Sequence, residues 1–407
     1  MAIRIYAGSK TEAVRKIQKK GAVQGTKVCF FMAFVRLLYR AAIFMMGIER
    51  LSYHFEPEKG WINDPNGLCW FKGEYHAFFQ HNPHAPKWDT MHWGHAVSKD
   101  LLHWQELPIA LYPDMPYENG DGCFSGSALE KDGNLYLMYT AVSKELGQTQ
   151  CIAISHDGRH FEKYAGNPVI AQSPVDPASR DFRDPKIFPY GDGYRMVCGA
   201  GVDGLGSVLL YKSADLLHWE YIGPIFQSRD YGPVPECPDL FPLGDKWVLL
   251  FSRMDKSRAS QFVVGSFDGE TFTPESFQIP EKGPDFYAGQ TFLDEKGRRI
   301  LIAWMHSWER EVPAGAVRAG ALTIPREISL AEGKVCTYPV EEARHLLRDA
   351  APLLSQEGEE AALVQGEQVM LSLPRSQVRE AAFLQDGHAW EVFINRGEFS
   401  CTFYTEE

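Results

Sequence analysis

The chain has 407 residues, 44% hydrophobic and 13% aromatic, with a net charge of −12. That supports a sizeable core and exceeds one ordinary small domain. The acidic balance argues against a nucleic-acid partner. Eight scattered cysteines without a CxxC pair exclude a disulfide framework and point to a reduced, cytoplasmic setting.

Residues 1–50 form a basic and apolar extension, with ten Lys and Arg against Glu12 and Glu49. Val28 to Ile48 is largely apolar, but Arg36 and Arg40 make a spanning helix costly. No small-residue cleavage site follows, which weakens a secretory signal. Two readings stay open: an amphipathic helix on a membrane surface, or a natural start near Met45 or Met46 with nothing functional upstream.

Next comes Trp61-Ile62-Asn63-Asp64-Pro65-Asn66-Gly67. Pro65 keeps Asp64 out of the helical region, and Asn66-Gly67 supplies a turn. Taken alone, this is a surface turn or a carboxylate held beside a tryptophan that can stack on a sugar.

The rest of the chain repeats. Ser98-Lys99-Asp100-Leu101-Leu102-His103-Trp104 returns as Ser213-Ala214-Asp215-Leu216-Leu217-His218-Trp219, with looser copies starting at Ser155 and Ser266. The steps are 57, 58 and 53 residues. Short strand-like runs separated by Gly, Asp and Pro lie between the copies, which suits four-stranded propeller blades. Asp64, Phe124-Ser125, Asp184 and Glu236 precede successive copies by 34, 31, 29 and 30 residues, and Tyr287 would open a fifth unit. Equivalent positions lie at equivalent radii, so Asp64, Ser125, Asp184, Glu236 and Tyr287 are expected to converge on one axial pocket. Three carboxylates there would be costly unless they are used.

Two carboxyl groups flanking a glycosidic bond make a glycosidase. Glu236, between Pro235 and Cys237, is the better acid. Asp64, beside Asn63 and Asn66, is the better ionised nucleophile. Asp184, next to Arg183, is expected to stay charged and accept hydrogen bonds from sugar hydroxyls. Trp61, Trp88, Phe124, Tyr287 and Trp304 are candidate apolar walls.

WINDPNG, FFQHNP, FSGS, FRDP, ECPDLF, FYAGQTF and AWM, in this order from about Leu51 to Pro339, resemble glycoside hydrolase family 32, the invertase and fructanase family. The bacterial sucrose-6-phosphate hydrolases are the most similar branch. The resemblance implies an all-β chain: a five-bladed β-propeller over 51–340, then a C-terminal β-sandwich, shortened here to 341–407. It implies a retaining β-fructofuranosidase with Asp64 as nucleophile, Glu236 as acid/base and Asp184 as transition-state stabiliser. Asn63, Gln80, Trp88, Phe124, Ser125, Arg183, Tyr287 and Trp304 match substrate-site positions. The substrate would be sucrose or its 6-phosphate. A fructan hydrolase, a fructosyl transferase or a non-catalytic carbohydrate-binding propeller are the alternatives.

No cofactor or metal is expected. His81, His84, His92 and His95 form two H-x-x-H pairs, but Pro83, Pro86 and Gly94 disfavour a helix that would align them, and a loop beside the pocket is the simpler reading. Cys237 reads as a small neighbour tuning Glu236, and Trp104 and Trp219 as blade core. A shortened sandwich is expected to leave apolar propeller surface bare.

Overall fold

Each Ser-x-Asp repeat closes the turn between the third and fourth strands of a blade. The Ser98 hydroxyl donates to Asp100 Oδ1 at 3.0 Å, and the same oxygen accepts the N–H groups of Leu102 and His103 at 3.0 and 2.8 Å. The turn needs a left-handed residue after the aspartate. Leu101 and Leu216 take it at φ +66° and +72°, whereas the looser copies use Gly158 and Gly269. Trp104 and Trp219 then fold back, each donating its indole N–H to the carbonyl of that leucine at 3.1 and 2.9 Å.

The description covers residues 50–355, 359–365 and 368–404 of a computed structural model. The N-terminal extension, with both readings of it, lies outside these residues. Pro313–Ala316 fall outside the compact unit of Arg50–Val312 and Val317–Glu407. The first blade comprises β1 (Gly60–Phe71), β2 (Glu74–Asn82), β3 (His92–Ser98) and β4 (Trp104–Leu111). The second comprises β5 (Gly122–Lys131), β6 (Asn134–Ser143), β7 (Gly147–Ser155) and β8 (Glu162–Lys163). The third comprises β9 (Phe182–Tyr190), β10 (Gly193–Val202), β11 (Leu205–Ser213) and β12 (Glu220–Ser228). The fourth comprises β13 (Pro235–Leu243), β14 (Lys246–Arg253), β15 (Ser260–Phe267) and β16 (Phe272–Gln278). In the fifth, β17 (Tyr287–Leu293) and β18 (Arg299–Met305) are followed by two short strands, β19 (Arg318–Ala319) and β20 (Ala321–Leu322). The blade is completed by β21 (Arg326–Ala331) and β22 (Lys334–Pro339).

Within the first four blades consecutive strands pair antiparallel, and the fifth runs β17-β18-β21-β22 with β20 also pairing β18. β19 leaves its own blade and pairs in parallel with β1 at Gly60 and Trp61, tying the last blade to the first. Apolar side chains fill the spaces between blades. Met138, Ile152, Cys198 and Leu209 join the second to the third, and Val208, Leu210, Leu249 and Phe251 join the third to the fourth. Each fully buried side chain of this kind contributes about 1.5–3 kcal/mol.

After the propeller come β23 (Arg348–Asp349), β24 (Glu360–Gln365), β25 (Gln368–Pro374), β26 (Ala381–Asp386), β27 (Ala389–Ile394) and β28 (Phe399–Tyr404). β23-β26-β27-β28 form one sheet and β24-β25 a second, packed around Leu363, Leu371, Val392 and Phe403. A buried ion-pair network along the seam joins this part of the chain to the propeller, beside apolar contacts of Leu384 and Tyr404. Arg326, fully buried, donates to Glu281 Oε2 at 2.8 Å and to Glu391 Oε2 at 2.6 and 2.9 Å. His54 completes the network, with Nε2 2.9 Å from Glu391 Oε1 and Nδ1 3.1 Å from Asp386 Oδ2. Exposed apolar residues do occur on the second sheet, at Val364 and Val369.

His54 makes this seam sensitive to pH. Burial disfavours its charged form, but the two carboxylates outweigh burial and raise its pKa from 6.5 to about 9. A raised pKa adds stability that is complete below pH 6.5 and disappears as pH climbs through 9. Unfolding free energy is therefore expected to fall by on the order of 3 kcal/mol between pH 6.5 and pH 9. Denaturant titrations of the protein and of His54→Gln across that range check it; identical slopes would remove His54 as the cause.

Candidate active site

The first strand of every blade breaks its register at the same level. Bulges fall between Ile62 and Pro65 in β1, Phe124 and Gly126 in β5, Arg183 and Lys186 in β9, Glu236 and Asp239 in β13, and Tyr287 and Gln290 in β17. A bulge puts one extra residue on a strand and re-aims its side chain. Three bulges also carry non-glycine residues with positive φ: Asp184 at +65°, Cys237 at +48° and Ala288 at +53°. Such conformers cost on the order of 1 kcal/mol each and persist where the surroundings over-determine them. The bulges bring Asp64, Ser125, Asp184 and Glu236 to one cavity of about 360 Å³.

Each carboxylate there is held differently. Asp64 Oδ2 accepts from the Ser125 hydroxyl at 2.5 Å and the Cys237 thiol at 3.4 Å, while Oδ1 accepts from the Asn63 amide at 3.0 Å. Asn63 is oriented in turn by the indole N–H of Trp61 at 2.8 Å. Glu236 Oε1 accepts from Arg183 Nε and Nη2 at 3.2 and 3.1 Å, and Oε2 from the Tyr287 hydroxyl at 2.5 Å. Asp184 Oδ2 accepts the backbone N–H of Cys237 at 2.8 Å, and the Thr140 hydroxyl accepts the Asp184 N–H at 3.0 Å.

The electrostatics revise two expectations. Arg183 was expected to keep Asp184 charged, but its guanidinium grips Glu236 and Asp181 instead. Burial pushes Asp184 up to about 7, Arg183 opposes this, and the charges of Glu236 and Asp64 add to it. Asp64 is also raised, chiefly by burial, with the Glu236 charge adding to it against its hydrogen bonds. Asp184 and Asp64 therefore both hold their protons to higher pH than an ordinary aspartic acid. Cys237 touches Asp64 through its thiol and Asp184 through its N–H, rather than the acid that precedes it.

Asn63, Gln80, Trp88, Phe124, Ser125 and Arg183 all line the cavity. Tyr287 stands behind Glu236, 4% exposed. Trp304 does not reach the cavity. It is fully buried, with its ring centroid 5.6 Å from Trp61 and 4.9 Å from Trp308. Trp61 is likewise buried, a wedge rather than a sugar platform; Trp308, 40% exposed, supplies the wall instead. Gln148, Asp181, Met254 and Arg258 also line the cavity, and no motif flagged them. Asp181 was the most accessible to reasoning, since it lies two residues before Arg183 in a strand approach and pairs with it.

The four histidines are mostly strand residues, not loop. His81 and His92 face each other across β2 and β3, and His95 stacks on Phe78 at 4.1 Å. Among the described residues, no His, Cys, Asp and Glu group has the arrangement of a metal site.

Beneath the carboxylates, buried Lys186 lies 3.1 Å from Asp239 Oδ2 and donates to Gln290 Oε1 at 3.1 Å. Gln290 Nε2 donates to the Cys237 carbonyl at 2.8 Å, anchoring the residue whose N–H faces Asp184. The carboxylate layer thus stands on a floor tied together by the Lys186–Asp239 ion pair and by Gln290.

A propeller whose inner strands converge on carboxylates defines the class of protein. Residues 54–339 match the glycosyl hydrolases family 32 N-terminal domain, and the chain belongs to that family. It is 40% identical over 320 residues to a sucrose-6-phosphate hydrolase of Zymomonas mobilis, covering 72% of this chain and 62% of that one. It is also 40% identical to a raffinose invertase of Escherichia coli, covering 77% and 71%. Among solved structures, a mutant GH32 β-fructofuranosidase of Bombyx mori in complex with sucrose superposes with TM-score 0.78 at 30% identity, over 88% of this chain and 89% of that one. The chain thus spans less than two thirds of the length of the first of these relatives.

Proposed function

We propose that the protein is a retaining β-fructofuranosidase acting on sucrose 6-phosphate, sucrose or both, with Asp64 as nucleophile, Glu236 as acid/base and Asp184 as the acceptor that steadies the fructosyl ring. The observation that carries this is one cavity holding all three carboxylates, each fixed by its own donors. Names and folds of the relatives agree with it.

In the first half-reaction, Asp64 attacks the anomeric carbon while Glu236 gives its proton to the bridging oxygen, and the glucosyl half leaves as an alcohol. Ser125 and Asn63 hold Asp64 in one orientation, so little reorganisation is needed. In the second half, Glu236 takes a proton from water, the hydroxide attacks the same carbon, and the Asp64 ester is released. Sugar hydroxyls donating to Asp184 favour its carboxylate.

We also propose a cytoplasmic setting: the described cysteines are all free and buried. No described helix is long and apolar enough to cross a membrane. The division near Pro339, between the last propeller strand and the sandwich strands, is proposed on strand order.

The direct test is incubation with sucrose, sucrose 6-phosphate and inulin, reading the released sugars. Fructose from sucrose 6-phosphate, from sucrose or from both is expected. Folded protein with no release from any of the three would defeat the reading.

A further inference from the structure

The cavity wall carries two guanidinium groups among its carboxylates, and only one of them is engaged. Arg183 is committed to Asp181 and Glu236. Arg258 has no carboxylate partner among the described residues. It lies over the ring of Tyr287 instead, 6.0 Å from the centroid. That same ring sends its hydroxyl to Glu236. Arg258 therefore sits on the flank of the group assigned to protonate the leaving oxygen.

Its position is well braced. Arg258 is in the turn joining β14 to β15, and its N–H donates to the Asp255 carbonyl at 3.2 Å. Asp255 also accepts from Ser257 N–H at 2.8 Å and from Arg253 Nε at 2.8 Å. Arg253, the neighbouring cation, is thereby neutralised, while Lys256 is exposed in the same turn. At the opposite flank, a dianion would face Asp64 and Asp184. Among the described residues lining the cavity, Arg258 is the cation without a carboxylate partner.

We propose that Arg258 is the residue that discriminates a phosphorylated from a neutral leaving sugar, by recognising a phosphoryl group on the half that departs. This rests on the β-fructofuranosidase reading above. Sucrose 6-phosphate fits, because its phosphate is on the glucosyl half, which departs beside Glu236. A planar guanidinium offers paired N–H donors to phosphate oxygens, an interaction that neutral sucrose lacks.

The test measures kcat/KM for sucrose 6-phosphate and sucrose in the wild type, Arg258→Gln and Arg258→Lys. The wild type is expected to favour the phosphorylated sugar, increasingly so as salt is lowered. Arg258→Gln should lower the ratio of the two constants about ten- to a hundredfold, and Arg258→Lys should retain part of it. A ratio that Arg258→Gln leaves unchanged, whether both constants fall together or neither moves, overturns the proposal while the hydrolase reading stands. No turnover of either sugar by folded wild type would sink the parent reading, a result distinct from an unchanged ratio. Inhibition by glucose 6-phosphate against glucose gives an independent reading, and equal inhibition by both in the wild type also counts against Arg258.

Discussion

Asp64→Asn is expected to lower kcat on sucrose or sucrose 6-phosphate by about 10⁴-fold or more and to leave the fold intact. The amide has the carboxylate's shape but cannot form the ester. Its three donors, Ser125, Asn63 and Cys237, surround a site whose charge is disfavoured by burial and by Glu236. Neutralising it removes that repulsion, so the unfolding midpoint should hold or rise. A catalytic residue is distinguished from a structural one by this pairing of lost turnover with retained stability. An inactive variant that is also strongly destabilised would instead make Asp64 a support of the β1 bulge.

Glu236→Gln is expected to cost about 10³-fold on sucrose, within the range for losing one positioned acid. The deficit should shrink for an aryl β-fructofuranoside, whose leaving phenolate needs no proton, and the variant should release one equivalent of phenol in a burst. Azide should then speed the second half-reaction, since an anionic nucleophile needs no base. An equal loss on both substrates would contradict the acid role. Gln keeps the Tyr287 contact but gives up the ion pair with Arg183, so KM should be measured beside kcat to separate chemistry from binding.

The blade period was legible because its turn has a chemical signature. An aspartate that accepts two backbone N–H groups and a serine hydroxyl leaves the same residues at the same spacing each time. Counting back from that turn reached the inner strands, hence the carboxylates. The bulges were not legible. Nothing in Arg183-Asp184-Pro185 states that Asp184 adopts positive φ. The expectation that Arg183 pairs with Asp184 failed because sequence adjacency stood in for spatial pairing. Trp61 and Trp304 were misplaced for a similar reason: an indole's type says that it packs, not on which side of a wall. Arg258 and Met254 sit in a loop without a repeat, so no periodic argument could reach them. His54 meets Glu391 across 337 residues of chain, a separation at which single-residue reasoning has no purchase.

The retaining mechanism with Asp64 as nucleophile is tested most directly by mass spectrometry of Glu236→Gln quenched during turnover of an aryl β-fructofuranoside. A mass gain of one anhydrohexose on the peptide containing Asp64, at Asp64 itself, is the predicted result. An adduct on Asp184 in place of Asp64 would contradict the account, as would turnover without any adduct that yields the inverted anomer.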